Sequence, residues 1–316
     1  MATEKIITVD IGASKVNFAV VDSNNNLLEY PEVPLVSLVN IGLNNQKLLE
    51  IISGGVQKVI SILVRQKETL SAISIGSPGP LDSVNGVIQN PPNLKGVINF
   101  PIIDELKKLF NMPVFLLNDA DAAALGEWWL GAGQGFKDIV YITLSSGVGS
   151  GIIKDGELQN KIELGHEQLM VGDEQRTCSC GESNHVEAFL GTNGLAETYA
   201  RIMGIKFSDI KTEDRYKISI EMRKGAGDGD EKWLALEDKY SEHLAIFLNK
   251  VITNNRPQII ILGGGIIHEN IRLLNKTKQH LKKFSGTEEV PIVLAKLKNP
   301  VNLGAAKYAL EQLGQA

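Results

Sequence analysis

The sequence predicts a duplicated α/β fold, two halves of similar plan with a cleft between the copies. Three observations point there. A strand, a turn of small and polar residues and a second strand occur at residues 10–15 and recur at residues 145–151. Each of these turns is followed by a meander and then by helices. Short buried strands then alternate with helical patterns along the rest of the chain, and 316 residues are enough for two domains.

Residues 6–10 read as a short buried strand ending in the turn Asp10-Ile-Gly-Ala-Ser-Lys15. Residues 16–21 form the second strand, Ser23-Asn-Asn-Asn26 turns the chain, and residues 27–30 form the third. Apolar residues at helical spacing (Leu48, Leu49, Ile52, Val56, Val59, Ile60, Leu63) predict a helix over 48–65. Residues 72–76 make a buried strand closing on Ser77-Pro-Gly-Pro80, and 103–110 a short helix. The strand 114–117 runs into Asn118-Asp119, and the Ala-rich stretch 120–130 is helical. The pattern restarts with a strand over 138–144, the turn Ser145-Ser-Gly-Val-Gly-Ser-Gly151, and a strand whose end at Asp155-Gly156 is a hairpin turn. Helices follow over 186–202 and 231–254, with a strand over 259–262 ending in Gly263-Gly-Gly265. A helix over 270–283, a strand over 290–294 and a closing helix over 303–313 complete the chain. Residues 204–230, polar and Gly-rich at Lys224-Gly-Ala-Gly-Asp-Gly-Asp230, read as a mobile surface insertion. Trp128 and Trp129 read as core packing rather than an exposed interface patch.

Composition excludes several classes. Hydrophobic content of 43% and charged content of 22% are those of an ordinary globular protein. A net charge of −5 implies no basic face, so nucleic acid is not expected as a partner. No apolar run approaches the ~18 residues a membrane span needs. The chain runs from Met1 almost directly into a strand, which is not the pattern of a signal peptide. Its two cysteines sit in a metal-like cluster, which fits a reducing compartment, and the expected localisation is cytoplasmic.

That cluster is Glu163-Leu-Gly-His166, Cys178-Ser-Cys180 and His185-Val-Glu187. It offers a closed zinc site (His166, Cys178, Cys180, His185), since zinc favours four tetrahedral N/S ligands in structural sites. A disulfide between Cys178 and Cys180 would be strained at that spacing. Two unrelated buried thiols are the bland alternative, because free Cys packs as a small hydrophobe. Gly181 and the polar run Glu182-Ser-Asn184 describe a tight exposed loop, which favours the metal.

The three Gly-rich turns point to phosphate. Phosphates bind where backbone N–H groups converge, and glycine lets the backbone approach. Asp10-Ile-Gly-Ala-Ser-Lys15 adds a carboxylate for Mg²⁺ and a lysine for a phosphoryl oxygen. Ser145-Ser-Gly-Val-Gly-Ser-Gly151 adds hydroxyls. Gly263-Gly-Gly265 lies between a buried strand and a helix. Each alone is a common hairpin or turn; the three together favour nucleotide binding, and none is a P-loop. At Asn118-Asp119 a strand becomes a helix. The pair reads either as a helix cap or, at the carboxyl end of a strand in an α/β sheet, as a ligand site with Asp119 as general base and Asn118 orienting the substrate.

The chain resembles the ROK family of sugar kinases, a branch of the actin-like ATPase superfamily. The residues that carry the resemblance are Asp10-Ile-Gly-Ala-Ser-Lys15, Asn118-Asp-Ala-Asp-Ala-Ala-Ala-Leu-Gly126, Ser146-Gly-Val-Gly-Ser-Gly151, Glu163-Leu-Gly-His166 and Cys178-Ser-Cys-Gly181 through Glu187. The likeness covers essentially the whole chain. It implies a two-lobed actin-like ATPase (ribonuclease H-like) α/β fold with a duplicated βββαβαβα core and an interlobe cleft. The smaller lobe would comprise residues 1–118 plus 303–316, and the larger lobe residues 119–302 with the zinc loop. It implies an ATP-dependent hexose kinase acting on the sugar 6-hydroxyl, with glucose the expected substrate and an N-acetylmannosamine or N-acetylglucosamine kinase the alternative. Asp119 would be the base; Gly79, Asn118, Glu163, His166 and Glu187 would bind the sugar. Asp10, Gly12, Ser14, Lys15, Ser146, Gly147, Gly149, Gly264 and Gly265 would bind ATP and Mg²⁺. The cofactors implied are ATP, Mg²⁺ and structural Zn²⁺, and the assembly a homodimer or homotetramer.

Three departures stand out. Gly12-Ala-Ser-Lys15 stands where the family usually has Gly-Gly-Thr-Lys, and Ser145 where a Gly is usual. His185 stands where a third cysteine is usual, so a Cys₂His₂ site is expected. The family also contains repressors with a DNA-binding segment before the first strand; here that strand starts close to Met1, and a kinase is expected instead. Retention of Asp119 argues against a non-catalytic sugar sensor.

Overall fold

The computed structural model describes residues 4–159, 162–284, 286 and 289–314. The chain divides into two compact units, Met1–Gln134 with Leu297–Ala316, and Gly135–Lys296. These limits put residues 119–134 and 297–302 with the first unit, where the sequence placed residues 119–302 together in the second.

The first unit opens with β1 (Glu4–Ile11), β2 (Lys15–Val21) and two short strands, β3 (Leu27–Leu28) and β4 (Val36–Ser37). Then come α1 (Asn45–Arg65), β5 (Thr69–Ser77), the small hairpin of β6 (Leu81–Asp82) and β7 (Val87–Ile88), α2 (Ile102–Phe110), β8 (Val114–Asn118) and α3 (Asp119–Leu130). The sheet order is β3-β2-β1-β5-β8, with β4 also paired to β2. Ile6, Ile7, Val9 and Ile11 of β1 are all buried, the mark of a central strand covered on both faces. β1, β5 and β8 run parallel, with Asp10 opposite Gly76 and Ser77 opposite Asn118. The sheet thus delivers Asp10, the Ser77-Pro-Gly-Pro80 turn and Asn118-Asp119 to one edge, at the carboxyl ends of neighbouring strands. α1 lays Leu48, Ile52, Val56, Val59 and Leu63 into the core, and Asn44 caps it by accepting from Lys47 N at 2.9 Å.

The second unit repeats the opening: β9 (Ile139–Leu144), β10 (Val148–Lys154) and β11 (Glu157–Gln159). It continues through α4 (Val186–Leu190), α5 (Thr192–Met203), α6 (Arg215–Gly227), α7 (Glu231–Asn255), β12 (Ile259–Gly263), α8 (Ile271–Leu281) and β13 (Ile292–Leu294). The sheet order is β11-β10-β9-β12-β13, with β9, β12 and β13 parallel. Its core centres on Phe189, Tyr240 and Phe247, each fully buried.

Three sequence expectations need correction. Residues 204–230 are not a surface insertion. They hold α6, which buries Ile218, Met222 and Ala226 in the core of this unit. The helix shows only three apolar contacts at a spacing of four, and its glycines read as loop. Gly225 is small for a packing reason: a Cβ there would stand 2.0 Å from the Trp233 ring. The single helix expected over 186–202 is two helices, interrupted at Gly191, which has an extended backbone. The third strand is also shorter than the expected 27–30.

The chain then returns to the first unit as α9 (Pro300–Gln312), which packs on α3. The crossing is close because it is made of small residues. A Cβ on Gly304 would lie 1.6 Å from Ala122 O, and one on Gly126 2.2 Å from Pro300 O. Fully buried Asn302 donates to Thr8 Oγ1 at 3.1 Å, tying α9 to β1. Trp128 and Trp129 are half-buried, with Lys307 Nζ 5.9 Å from each ring centroid; Trp129 packs on the small cluster around Ile6, Val21 and Leu303. No helix among the described residues is long and apolar enough to cross a membrane.

Because the α3–α9 contact leaves no room for a methyl group, Gly304→Ala forces the helices apart or strains them. We expect a loss of about 1–3 kcal/mol of stability, read as a lower midpoint in denaturant or thermal unfolding.

Candidate functional site

The first unit gathers seven of the residues singled out in the sequence. Gly12 N donates to Lys15 O at 2.8 Å, closing the first turn, and Ser14 and Lys15 are exposed. Asp10 is half-buried at the end of β1. Burial pushes its carboxyl up to about 6, and the nearby Lys15 cation pulls the other way. Asn118 is the N-cap of α3; its Oδ1 accepts from Ala120 N at 2.8 Å and from Asp121 N at 3.3 Å. The cap is therefore Asn118, and Asp119 is the first helical residue, with its own Oδ1 accepting from Ala120 N at 2.8 Å. A carboxylate at a helix N-terminus is favoured by the helix dipole. Gly79 lies half-buried in the turn after β5.

The second unit carries the rest. Ser145 N donates to Gly147 O at 2.9 Å, and Thr192 at the start of α5 donates from N and Oγ1 to Ser145 O at 2.9 and 2.8 Å. The turn with Ser146, Gly147 and Gly149 is thereby fixed against a helix start. Gly264 has φ of 89°, and a Cβ there would sit 2.3 Å from Leu144 O, so the turn after β12 lies against the end of β9. Gly265 is exposed beside it. These turns occupy the carboxyl ends of β9 and β12, which pair in parallel with Gly263 opposite Thr143.

The Cys/His cluster forms within this unit. Ligand atoms of His166, Cys178, Cys180 and His185 all lie within 4.8 Å of one another. His185 Nδ1 is 3.2 Å from Cys180 Sγ and 3.3 Å from His166 Nδ1. A tetrahedral zinc with bonds of about 2.0–2.3 Å sets its ligands roughly 3.3–3.8 Å apart. The donor set suits the ion, and its two pairs at 3.2 and 3.3 Å stand close to the spacing a tetrahedral zinc needs; both cysteines are free thiols rather than a disulfide. Burial pushes the Cys178 thiol up to about 11; a bound cation inverts that preference, since metal ligands must be deprotonated.

Two carboxylates flank the cluster. Glu163 precedes the short 3₁₀ turn Leu164–His166, which is pinned to β10: Leu164 N donates to Ser150 Oγ at 3.1 Å, and a Cβ on Gly165 would stand 2.0 Å from Val148 O. Partial desolvation raises the Glu163 carboxyl, His166 opposes it and Glu187 adds to it. Glu187 Oε1 accepts from Ser179 Oγ, and its Oε2 accepts from Val148 N at 3.3 Å. Glu187 thus joins the Cys loop to the turn at Gly147, where a Cβ would be 2.2 Å from its Oε2. Ser179 had no sequence signal beyond its place between the cysteines.

The family model for the ROK family matches residues 6–312. The chain is 29% identical to a glucokinase of Thermotoga maritima, over 98% of each chain. It is 26% identical to an N-acetylmannosamine kinase of Escherichia coli O127:H6, over 82% of each. A solved ROK family glucokinase of Streptomyces griseus, in complex with glucose and AMPPNP, superposes with a TM-score of 0.74 at 23% identity, over 96% of this chain and 98% of that one.

The Asp10 shift has a stability consequence. The folded state holds this proton more tightly than the unfolded chain, so stability falls as pH rises from about 4 to about 6, and the full cost persists above that. At about 1.4 kcal/mol per unit, the cost reaches about 3 kcal/mol. We expect Asp10→Asn to raise the unfolding midpoint at pH 8 and not at pH 4, measured without divalent cations.

Proposed function

The chain belongs to the ROK family, and from that premise we propose that it is an ATP-dependent hexose kinase that phosphorylates a sugar 6-hydroxyl, with glucose as the first candidate. The observation that carries the reading is Asp119: a carboxylate at the first residue of α3, beside Asn118 and two residues beyond Leu117, which the parallel register sets level with Asp10. Such strand ends are where α/β sheets bind ligands.

Phosphoryl transfer asks the protein for position and charge rather than covalent chemistry. In this reading Asp119 accepts the proton of the 6-hydroxyl as it attacks the γ-phosphorus. Asn118 uses its Oδ1 in the helix cap, so the amide Nδ2 is what it offers a sugar hydroxyl. Gly79, Glu163, His166 and Glu187 hold other ring hydroxyls. Gly12, Ser14, Lys15, Ser146, Gly147 and Gly149 present N–H groups, hydroxyls and one cation to phosphate, and Gly264 and Gly265 give the nucleotide a close backbone approach. Mg²⁺ supplies charge neutralisation at the phosphates, and Asp10 is the carboxylate that would hold it. Zinc supplies a fixed four-point anchor at His166, Cys178, Cys180 and His185. His166 turns Nδ1 to the cluster, which leaves Nε2 for the sugar.

The glucokinase relatives support glucose; the N-acetylmannosamine kinase relative supports the second reading, an N-acetylhexosamine substrate. A coupled ATP-dependent assay over glucose, fructose, N-acetylmannosamine and N-acetylglucosamine decides between them. We expect turnover of glucose, reduced about 10³-fold in Asp119→Ala, within the range typical of lost general-base catalysis. Preference for N-acetylmannosamine would keep the mechanism and move the substrate. Sugar binding with no turnover on any member of the panel would sink the kinase reading. Removal of zinc by a chelator is expected to raise KM for the sugar more than KM for ATP, with recovery on adding zinc back.

A further inference from the structure

The segment leading into the Cys loop contains a charged side chain that neither the metal cluster nor the phosphate turns account for. Arg176 lies two residues before Cys178, and its side chain is 1% exposed. Each of its three nitrogens donates a hydrogen bond. Nη2 and Nε donate to Glu174 Oε2 at 2.7 and 3.2 Å, and Nη1 donates to Gly194 O and Thr198 Oγ1, both at 3.0 Å. The guanidinium also lies 4.6 Å from the centroid of the Phe189 ring, two residues after Glu187. One side chain thus touches α4 and α5 at once.

The backbone of Arg176 is held as firmly as its side chain. Arg176 N donates to Asn184 Oδ1 at 2.8 Å, and Asn184 N donates back to Arg176 O at 2.7 Å. Asn184 stands in the left-handed region, with φ of 57°. Between these two residues runs a hairpin that bridges Thr177 to Ser183 and carries Cys178 and Cys180; His185 follows directly. Three of the four cluster ligands therefore hang from the pair Arg176–Asn184, and the Arg176 side chain fixes that pair to the helices.

We propose that Arg176 is a positioning residue: its buried fork sets the Cys178–His185 hairpin against α4 and α5, and so places both the metal ligands and the Glu187 carboxylate. The sugar part of this inference rests on the kinase reading above; the metal part does not. Groups that orient a metal's ligands without touching the ion act in this way, and their loss costs about 10–100-fold in affinity or activity. Only an arginine makes all these contacts, because a lysine offers a point charge in place of a planar fork.

The test compares the zinc-loaded wild type with Arg176→Met and Arg176→Lys. Four quantities are read: the rate of zinc loss to a chromophoric chelator, the glucose Kd by calorimetry, KM for glucose and KM for ATP. Arg176→Met should lose zinc about tenfold faster and bind glucose about tenfold more weakly, with KM for ATP unchanged. Arg176→Lys should fall between the two and stands in if the Met variant does not fold. A lower melting temperature alone, with zinc retention and glucose Kd equal to wild type, would overturn the proposal by reducing Arg176 to a packing residue. If the wild type binds no glucose, the glucose assignment fails, and the zinc-loss comparison still decides the role of Arg176.

Discussion

The arrangement depends on one constraint: strands that run parallel end together. In the first unit the parallel register of β1, β5 and β8 puts Asp10, Ser77 and Asn118 at one edge of the sheet. In the second, β9 and β12 do the same for the turns at Ser145 and Gly264. Backbone groups at such ends leave the ladder and must find other partners. The turns satisfy part of that need internally, through Gly12 N to Lys15 O and Ser145 N to Gly147 O. What remains is a set of N–H groups and short polar side chains held by a rigid sheet, which is the material an anion site is made from.

A second joint lies at Glu187. Its carboxylate bonds to Val148 N on one side and to Ser179 on the other, so the loop with the Cys/His cluster and the turn at Gly147 share a single side chain. Around the same loop, Glu174 is met by Arg176 at 2.7 Å, by Lys239 and His243 at 3.5 Å each, and by Arg201 at 4.0 Å. His243 is completely buried, and burial together with the Arg176 cation pushes its pKa down to about 4, so it is neutral near pH 7. The charge of this hub is thus balanced mainly by Arg and Lys.

Much of the framework was legible because it is local. The β1–turn–β2 and β9–turn–β10 repeats carry strand residues on both sides of a small-residue turn, and α1 and α7 show their core faces at helical spacing. The meeting of His166, Cys178, Cys180 and His185 was legible too, since only two cysteines had to be placed. α6 was not. Its core face is three residues on a polar, Gly-containing stretch, and Trp233, whose ring lies against Gly225, is beyond it in sequence. Nor was the reach of α9 back to α3, which depends on the absence of side chains at Gly126 and Gly304 rather than on any apolar pattern. Arg176 gave no signal for the same reason: its partners at 194 and 198 and its ring contact at 189 are neighbours only in the folded chain.

The central claim is that a phosphoryl group leaves ATP and arrives on a sugar hydroxyl. Phosphorus NMR of the protein with ATP, Mg²⁺ and glucose reads this without a coupling enzyme. The account expects the γ-phosphate signal to be replaced by one monoester signal coupled to the C6 protons of the sugar. Inorganic phosphate as the product, or a monoester at another carbon, would contradict it.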